Sequence, residues 1–538
     1  MAKKIFYTAE AREKVLAGAK QLYDAVKVTF GPKGQNVVIE KSYGGPTITH
    51  DGVTVAEAVD LGSTEENLGE QIGAKLIKSA AQKLNKVAGD GTTTVTVLTY
   101  NILSEANKLI AAGVNPMELR KGIEEAGAEI IKGIEKSAEK IEGDDKKVAE
   151  VASISAGDKE IGQLIADVIS KIGKDGIVTV EQGQGLEMEQ EIVEGFTYDK
   201  GYSSPFFVTD TNRQEALFEK PLVLITDQKI SSASELIPLL EQCAQAGRKD
   251  LVIIAEEVSG EALSVLVLNK LKGVFNTLVL KAPSFGDRRK EIMEDIAILT
   301  DATVVSSDKG MKLEEVGMEV LGTCDKVLAT KDETTIIKGA GNKKAVADRI
   351  ALIQSQAKLE KSDYAREELE KRAAALLGKV AVIKVGGASE AEIDEKKFRV
   401  DDAVAATKAA LAEGIVTGGG VTLVNLASNL KADTDGAKIV KKALQAPFIH
   451  IMENAGLNSQ ALLAEVEKAK PGQGINVMEP EKGLVDLKKS GVIDPAKVTK
   501  EAVQSATSIA ATAITMGALI VDIPEKAAPA APDMGGMY

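Results

Sequence analysis

The segment Ala88-Gly89-Asp90-Gly91-Thr92-Thr93-Thr94 sets a carboxylate between two glycines and follows it with three hydroxyls. The apolar, β-branched run Val95-Thr96-Val97-Leu98-Thr99 comes next. The spacing predicts a helix from Thr92 to about Ile110. Its first turn offers unpaired N–H groups and the positive end of the helix dipole, which together suit a phosphate. Asp90 adds a negative charge that an anion site excludes unless a cation lies between the two. The segment therefore reads as a magnesium–nucleotide site, with Gly91, Thr92, Thr93 and Thr94 as its cradle. A capped helix start without a ligand is the other reading of the same residues.

Distant segments carry related chemistry. Thr29-Phe30-Gly31-Pro32-Lys33 is a loop whose backbone can approach an anion closely. His50-Asp51-Gly52 places a carboxylate on a tight turn after a strand. Val400-Asp401-Asp402-Ala403 is expected to open an Ala-rich helix, where paired acids suit capping or the orientation of a water. Gly418-Gly419-Gly420 precedes another helix and leaves room for a base or ribose. Read alone, Asp402 fits a cap more readily than a base, and only convergence in space makes these segments a site. Neither a Gly-x-x-x-x-Gly-Lys-Ser/Thr loop nor a Gly-x-Gly-x-x-Gly turn between strand and helix is present, so the common nucleotide-binding folds are not supported.

The elements that must position these residues fall into two textures. Helices are expected over about 9–27, 64–87, 92–110 and 116–137, with short strands at 36–40 and 46–49. A long Ala/Thr helix over about 497–516 returns to the same character, which suggests one discontinuous helical domain with the middle of the chain inserted. Strands at 221–225, 251–255 and 277–280, separated by helices near 232–246 and 260–271, predict a parallel α/β layer buried on both faces. The charged stretch 345–376 reads as a solvated helical pair, and the Ala/Pro-rich tail from Pro524 as disordered.

Composition excludes much else. A chain of 538 residues needs more than one core. Its net charge of −14 argues against nucleic acid or an anionic membrane as a main partner. With only Cys243, Cys324, His50 and His450 as soft ligands, a structural zinc site or a Cys–His nucleophile is not expected. The start runs straight into an amphipathic helix, and no apolar stretch is long enough to span a bilayer; the expectation is a cytoplasmic protein.

Taken in order, the motifs Val28–Val38, Ala88–Thr94, Lys281-Ala282-Pro283-Ser284-Phe285-Gly286-Asp287-Arg288-Arg289-Lys290, Arg399–Ala403 and Gly418–Val421 resemble the GroEL-type group I chaperonin family. The resemblance runs from about residue 5 to the tail. It implies a group I chaperonin fold: a mainly helical discontinuous equatorial domain (1–137 with 412–538), a small α/β intermediate domain (138–193 with 379–411) and an α/β apical domain (194–378). It also implies seven-membered rings, usually stacked in pairs, that bind non-native polypeptides and enclose them with ATP and a GroES-type co-chaperonin.

By the matched motifs, Asp90 holds Mg²⁺ beside the phosphates, which Thr92 and Thr93 line with Thr29, Gly31 and Pro32. Asp51 and Asp402 position or activate the attacking water, and Gly419, Asn476 and Asp494 frame the adenosine. The resemblance gives client and lid binding to Ile237, Leu240, Leu263, Val267 and Leu268, with Tyr202, Ser204, Phe206 and Phe207. The 234–240 and 263–268 segments carry more apolar residues than one buried stripe needs, which fits that role; core packing accounts for part of both.

Departures from the family pattern are Phe30 in place of the usual Leu, His50 in place of the usual Lys, about four extra residues between Gly52 and Gly89, and a single Gly-Gly-Met unit in the tail. A neutral imidazole brings less charge to a triphosphate than an ammonium. Two rivals to an ATP-driven folding machine are an ATP-dependent small-molecule transferase, for which no acceptor pocket is evident, and a ring protein that binds clients without hydrolysing ATP, against which the three carboxylates Asp51, Asp90 and Asp402 argue.

Overall fold

Ala, Leu, Glu and Lys at three- and four-residue spacing make the first third of the chain helical. The computed structural model describes residues 2–40, 46–62, 64, 67–173, 176–183, 185–211, 213–360 and 362–523. The expectation for the tail from Pro524 lies outside these residues, as does part of the lead-in between Gly52 and Gly89. The chain divides into two compact units: Met1–Lys174 with Gln182–Met188 and Val385–Tyr538, and Asp175–Glu181 with Glu189–Lys384.

In the first unit the helices Thr8–Lys27, Glu70–Ala88, Thr92–Ala111, Pro116–Ser137 and Ala496–Ala513 share one core. Thr92–Ala111 lies at its centre and buries residues on every face, which its apolar and β-branched composition permits. Asn115 starts the next helix: its side chain accepts from the Met117 N–H at 2.8 Å, and Pro116 takes the first helical position. The helix expected over 64–87 begins only at Glu70, because the left-handed Gly62 and Gly69 interrupt the stretch before it. A separate short helix, Gly52–Ala58, precedes that lead-in.

Short antiparallel pairs close this unit: Lys3–Tyr7 with Ala518–Asp522, Val37–Ile39 with Thr47–Thr49, Ile415–Thr417 with Ile493–Pro495, and Gln473–Ile475 with Leu484–Asp486. The helices Asp145–Ala156, Lys159–Ile172 and Glu390–Glu413 share a smaller core built on Val148, Val151, Ala166, Ala406 and Ala410.

The second unit is built on a nine-stranded sheet. Leu222–Ile230, Asp250–Val258 and Asn276–Lys281 run parallel, with helices Ile237–Gln245 and Gly260–Leu271 between them. The parallel layer predicted from sequence stops there. Gly322–Ala329 and Thr334–Gly339 are joined by a tight turn and must therefore pair antiparallel, and Glu189–Tyr198 continues the sheet in the same sense. The charged stretch forms the expected helical pair, Lys343–Leu359 and Asp363–Leu376, but it is not merely solvated. Asp295, on the helix Gly286–Thr300, is wholly buried, and both Arg349 and Arg372 bind its carboxylate.

Candidate functional site

The helix Glu70–Ala88 ends on Gly89 (φ 72°), and Thr92–Ala111 begins after Gly91 (φ 91°), so Asp90 sits between two left-handed residues. Only glycine adopts that conformation without strain, and the pair reverses the chain within three residues. Asp90 accepts a hydrogen bond from the Gly91 N–H. The first i→i−4 bond of the new helix runs from Val95 N to Gly91 O (2.9 Å), which leaves the amides of the Thr92–Thr94 turn outside the helical ladder. The Thr92 hydroxyl is buried without a hydrogen-bond partner.

Close approaches bring the distant segments to this turn. A Cβ on Gly52 would stand 2.3 Å from Thr93 Oγ1, so the Asp51 turn abuts the new helix. A Cβ on Gly89 would stand 1.9 Å from the Ala405 Cβ, so the Glu390–Glu413 helix lies directly on the loop, one turn from Asp402. Asp51 itself caps the Gly52–Ala58 helix, accepting from Val53 N at 3.1 Å and Thr54 N at 2.7 Å. Its carboxylate is thereby fixed in direction.

Asp402 does not open its helix. That helix starts at Glu390, capped by Ser389, and runs unbroken because no Gly or Pro interrupts residues 390–413. At mid-helix the dipole gives the carboxylate no support. Burial, followed by the fields of Asp51, Asp90 and Asp401, raises the Asp402 pKa well above the usual carboxylate value. Burial also raises that of Asp90, with the Asp51 charge adding to it and the Gly91 N–H and Ser155 opposing. Ser155 Oγ is itself buried and meets the geometry of no hydrogen bond. Nothing in the sequence marks Ser155, a lone hydroxyl near the end of the Asp145–Ala156 helix.

Behind these residues, Asp494 lies on the strand Ile493–Pro495, paired with Val416. Its Oδ1 would stand 3.0 Å from a Cβ on Gly418, which sets the Gly418–Gly420 turn beside it. Gly419 faces Val492 and Leu487, and Gly474 meets the same Leu487, so the strand leading to Asn476 belongs to this corner. Asn476 closes its own turn by accepting from Met478 N at 3.0 Å. Thr29 is buried, and its hydroxyl donates to Val26 O at 2.8 Å, so the 29–33 loop offers a ligand its backbone rather than that side chain. Pro32 follows Gly31 in this loop, and His50 is exposed.

Burial, with the Asp90 charge second, pushes the Asp494 pKa up to about 7. A folded-state pKa above the unfolded one means stabilisation that is complete below pH 4 and lost as the pH rises through 7. Melting the nucleotide-free protein at pH 5 and pH 8 should therefore show a loss that Asp494→Asn reduces by roughly 3 kcal/mol, the cost of the charge over that interval. Parallel pH curves for the two proteins would remove Asp494 as the source.

Among the described residues, none of Asp51, Asp90, Asp402 and Asp494 has an ion-pair partner; the Asp51 charge adds to the raised pKa of Asp90 and Asp402, and the Asp90 charge to that of Asp402 and Asp494. Hard oxygen donors in that state suit a hard cation. No group of three or more His, Cys, Asp or Glu side chains among the described residues can hold a metal ion alone.

The residues assigned to client and lid binding lie in the second unit and do not form one exposed surface. Phe206, Ile237 and Leu268 are exposed, whereas Leu240, Leu263 and Val267 pack partly against the core. Tyr202 and Phe207 are core residues: Tyr202 bridges to Leu280, and the Phe207 carbonyl accepts from Lys270 Nζ at 2.7 Å. Both are therefore buried in this structure, unlike Phe206, Ile237 and Leu268. Ser204 caps the turn Pro205–Phe207.

The sequence model of the TCP-1/cpn60 chaperonin family matches residues 22–524, and the chain belongs to that family. It is accordingly a protein-folding chaperone, from a family whose members are in general ATPases and form oligomeric rings around client polypeptides. No helix among the described residues is long and apolar enough to cross a membrane.

Proposed function

We propose that this chain is a chaperonin of the GroEL type, hydrolysing Mg–ATP to drive the folding of non-native polypeptides in a seven-membered ring closed by a GroES-type co-chaperonin. The observation that carries the ATP reading is the gathering of Asp51, Asp90 and Asp402 at the first turn of the Thr92–Ala111 helix. Family membership disposes of the small-molecule transferase. The division into equatorial, intermediate and apical domains belongs to the same proposal. So does a cytoplasmic setting, where the unpaired buried thiols Cys243 and Cys324 are at home.

In this reading Asp90 holds the metal, which supplies charge neutralisation to the phosphate oxygens. The first-turn amides of Thr92, Thr93 and Thr94 and the unpartnered Thr92 hydroxyl receive those oxygens, together with the Thr29–Pro32 backbone. Asp402, with its affinity for a proton raised by burial, takes the proton of the attacking water. Asp51, held by its capping bonds, orients that water. Gly419, Asn476 and Asp494 frame the nucleoside.

A two-variant experiment tests the reading. In Asp90→Ala, Mg²⁺-dependent ATP binding to the assembled protein should weaken by about ten-fold or more, because the cation loses its protein ligand. In Leu268→Ser, ATPase and melting temperature should hold, since an exposed site changes stability by about 0.5 kcal/mol or less. Capture of a denatured client, read by co-sedimentation, should fall several-fold. Mg²⁺ dependence untouched by Asp90→Ala would sink the site assignment, and unchanged capture would remove Leu268 from the client surface.

A further inference from the structure

The loop 28–34 is held from behind by one short helix, Ala446–Asn454. Asn454, its last residue, donates its side-chain amide to the carbonyls of Lys27 and Phe30 at 2.9 Å each and to that of Val28 at 3.5 Å. Gly31, at φ 80°, is pressed against the same helix: a Cβ there would stand 3.2 Å from Ile451 Cγ1. The Phe30 ring packs against two clusters at once, one containing Phe448 and Ile451, the other Tyr23, Val97 and Ala446. This helix thus touches the loop through a hydrogen-bonding amide, a close backbone approach and an apolar contact.

The same helix carries His450 and Glu453. His450 Nδ1 meets Glu453 Oε2 at 2.9 Å, and Nε2 meets the Tyr23 hydroxyl at 2.6 Å. The Ser459 hydroxyl donates to the other Glu453 oxygen at 3.3 Å. Helix Thr8–Lys27 presents three ionisable groups to His450: Tyr23, Asp24 and Lys27, with Asp24 paired to both Lys20 and Lys27. Helix Thr92–Ala111 presents Tyr100, stacked on Tyr23 with ring centroids 4.2 Å apart, and Asn101. Lys27 Nζ lies 4.7 Å from the Tyr23 ring centroid.

A neutral imidazole satisfies this chain of contacts with the Tyr23 hydroxyl as donor. The Glu453 carboxylate fixes the ring proton on Nδ1, which leaves Nε2 to accept from the Tyr23 hydroxyl. Burial favours that neutral form and lowers the His450 pKa below its usual value. A second proton on the ring would point an N–H at the phenol, which must then turn and give up its acceptor. Tyr23 lies one helical turn before Lys27, whose carbonyl Asn454 holds, so the disturbance reaches the loop through both of its supports.

We propose that Tyr23, His450 and Glu453 form a proton-sensitive relay that, with Asn454, positions the 28–34 loop and so sets the affinity of the site for nucleotide phosphates. These are positioning residues, and the nucleotide half of the statement rests on the function proposed above.

Hydrogen exchange of residues 28–36 in the full-length, nucleotide-free protein tests the positioning half without any ligand. After correction for intrinsic rates, exchange should be several-fold faster at pH 5.0 than at pH 8.0. His450→Gln should flatten that dependence. Tyr23→Phe keeps the ring and its stack but loses the hydroxyl, and should exchange fast at both pH values. Mg–ATP affinity should follow, falling several-fold at pH 5.0 in the unmodified chain beyond any fall in His450→Gln, which controls for titration of ATP itself. The same pH dependence of loop exchange in the unmodified chain and in His450→Gln overturns the relay, even if Mg–ATP binds and Asp90→Ala abolishes that binding. A loop that responds as stated in a protein that binds no nucleotide upholds the relay and overturns the ATP reading.

Discussion

Asp402→Ala is expected to assemble and to bind Mg–ATP almost as the unmodified chain does, while steady-state hydrolysis falls by roughly 10²–10⁴, the usual worth of a positioned general base. Assembly should survive because Asp402 makes no cap and has no ion-pair partner among the described residues; an alanine continues its helix better than the aspartate does. Binding should survive, or tighten slightly, because removing one of several mutually repelling carboxylates relieves a site that must accept a triphosphate. The loss therefore falls on the chemical step. Asp402→Asn keeps the shape and some of the polarity but cannot take a proton, so it should fail almost as badly.

A second readout separates a base from a bystander. If Asp402 accepts the proton, the acid limb of the rate profile follows its own titration, which burial and the neighbouring carboxylates move above the ordinary range. Bound Mg²⁺ offsets part of that shift, so the limb should move further up as Mg²⁺ is withdrawn. Full hydrolysis by assembled Asp402→Ala would end the assignment. A rate loss with an unshifted acid limb would transfer the base to Asp51.

The glycine–carboxylate turns were legible in the sequence because they depend on local chemistry. Gly89 and Gly91 are left-handed because no other residue takes that backbone cheaply, and the three-residue reversal follows from them. The helices 92–111, 116–137 and 260–271 were legible from periodicity and from Asn-Pro and Gly punctuation. Asp402 was misplaced at a helix start because paired acids favour caps, whereas the helix starts twelve residues earlier, at Glu390, where Ser389 caps it. The burial of Tyr202 and Phe207 was not legible because burial is a tertiary property, and an aromatic residue beside Ser and Pro looks the same in either place. The supports of the 28–34 loop were invisible for the plainest reason: Tyr23 and His450 stand 427 positions apart.

The charged stretch 345–376 is the clearest case of a pattern whose meaning lies elsewhere in the chain, and it yields the largest stability effect. Asp295 is wholly buried on the Gly286–Thr300 helix. It accepts from Arg349 Nε at 2.7 Å and from both Nε and Nη2 of Arg372, the latter at 3.2 Å, and Glu291 takes the remaining Arg372 nitrogen. One carboxylate thus ties three helices together, and among the described residues the two guanidiniums offset its desolvation. Asp295→Ala leaves both cations half-buried without that partner and should cost the second unit about 3–5 kcal/mol, the usual penalty for breaking a buried pair from one side. Replacing the cluster together, Asp295→Leu with Arg349→Met and Arg372→Met, should recover most of that loss, because the cost lies in stranded charge rather than in the absence of a bond. The measurement is denaturant unfolding of the full chain, with hydrogen exchange on residues 286–300, 343–359 and 363–376 to locate the opening. If Asp295→Ala unfolds within about 1 kcal/mol of the unmodified chain, or the triple replacement fares no better than the single one, the cluster is a bystander to packing and the helical pair is held by its apolar contacts, among them Ile353, Ala373 and Leu376.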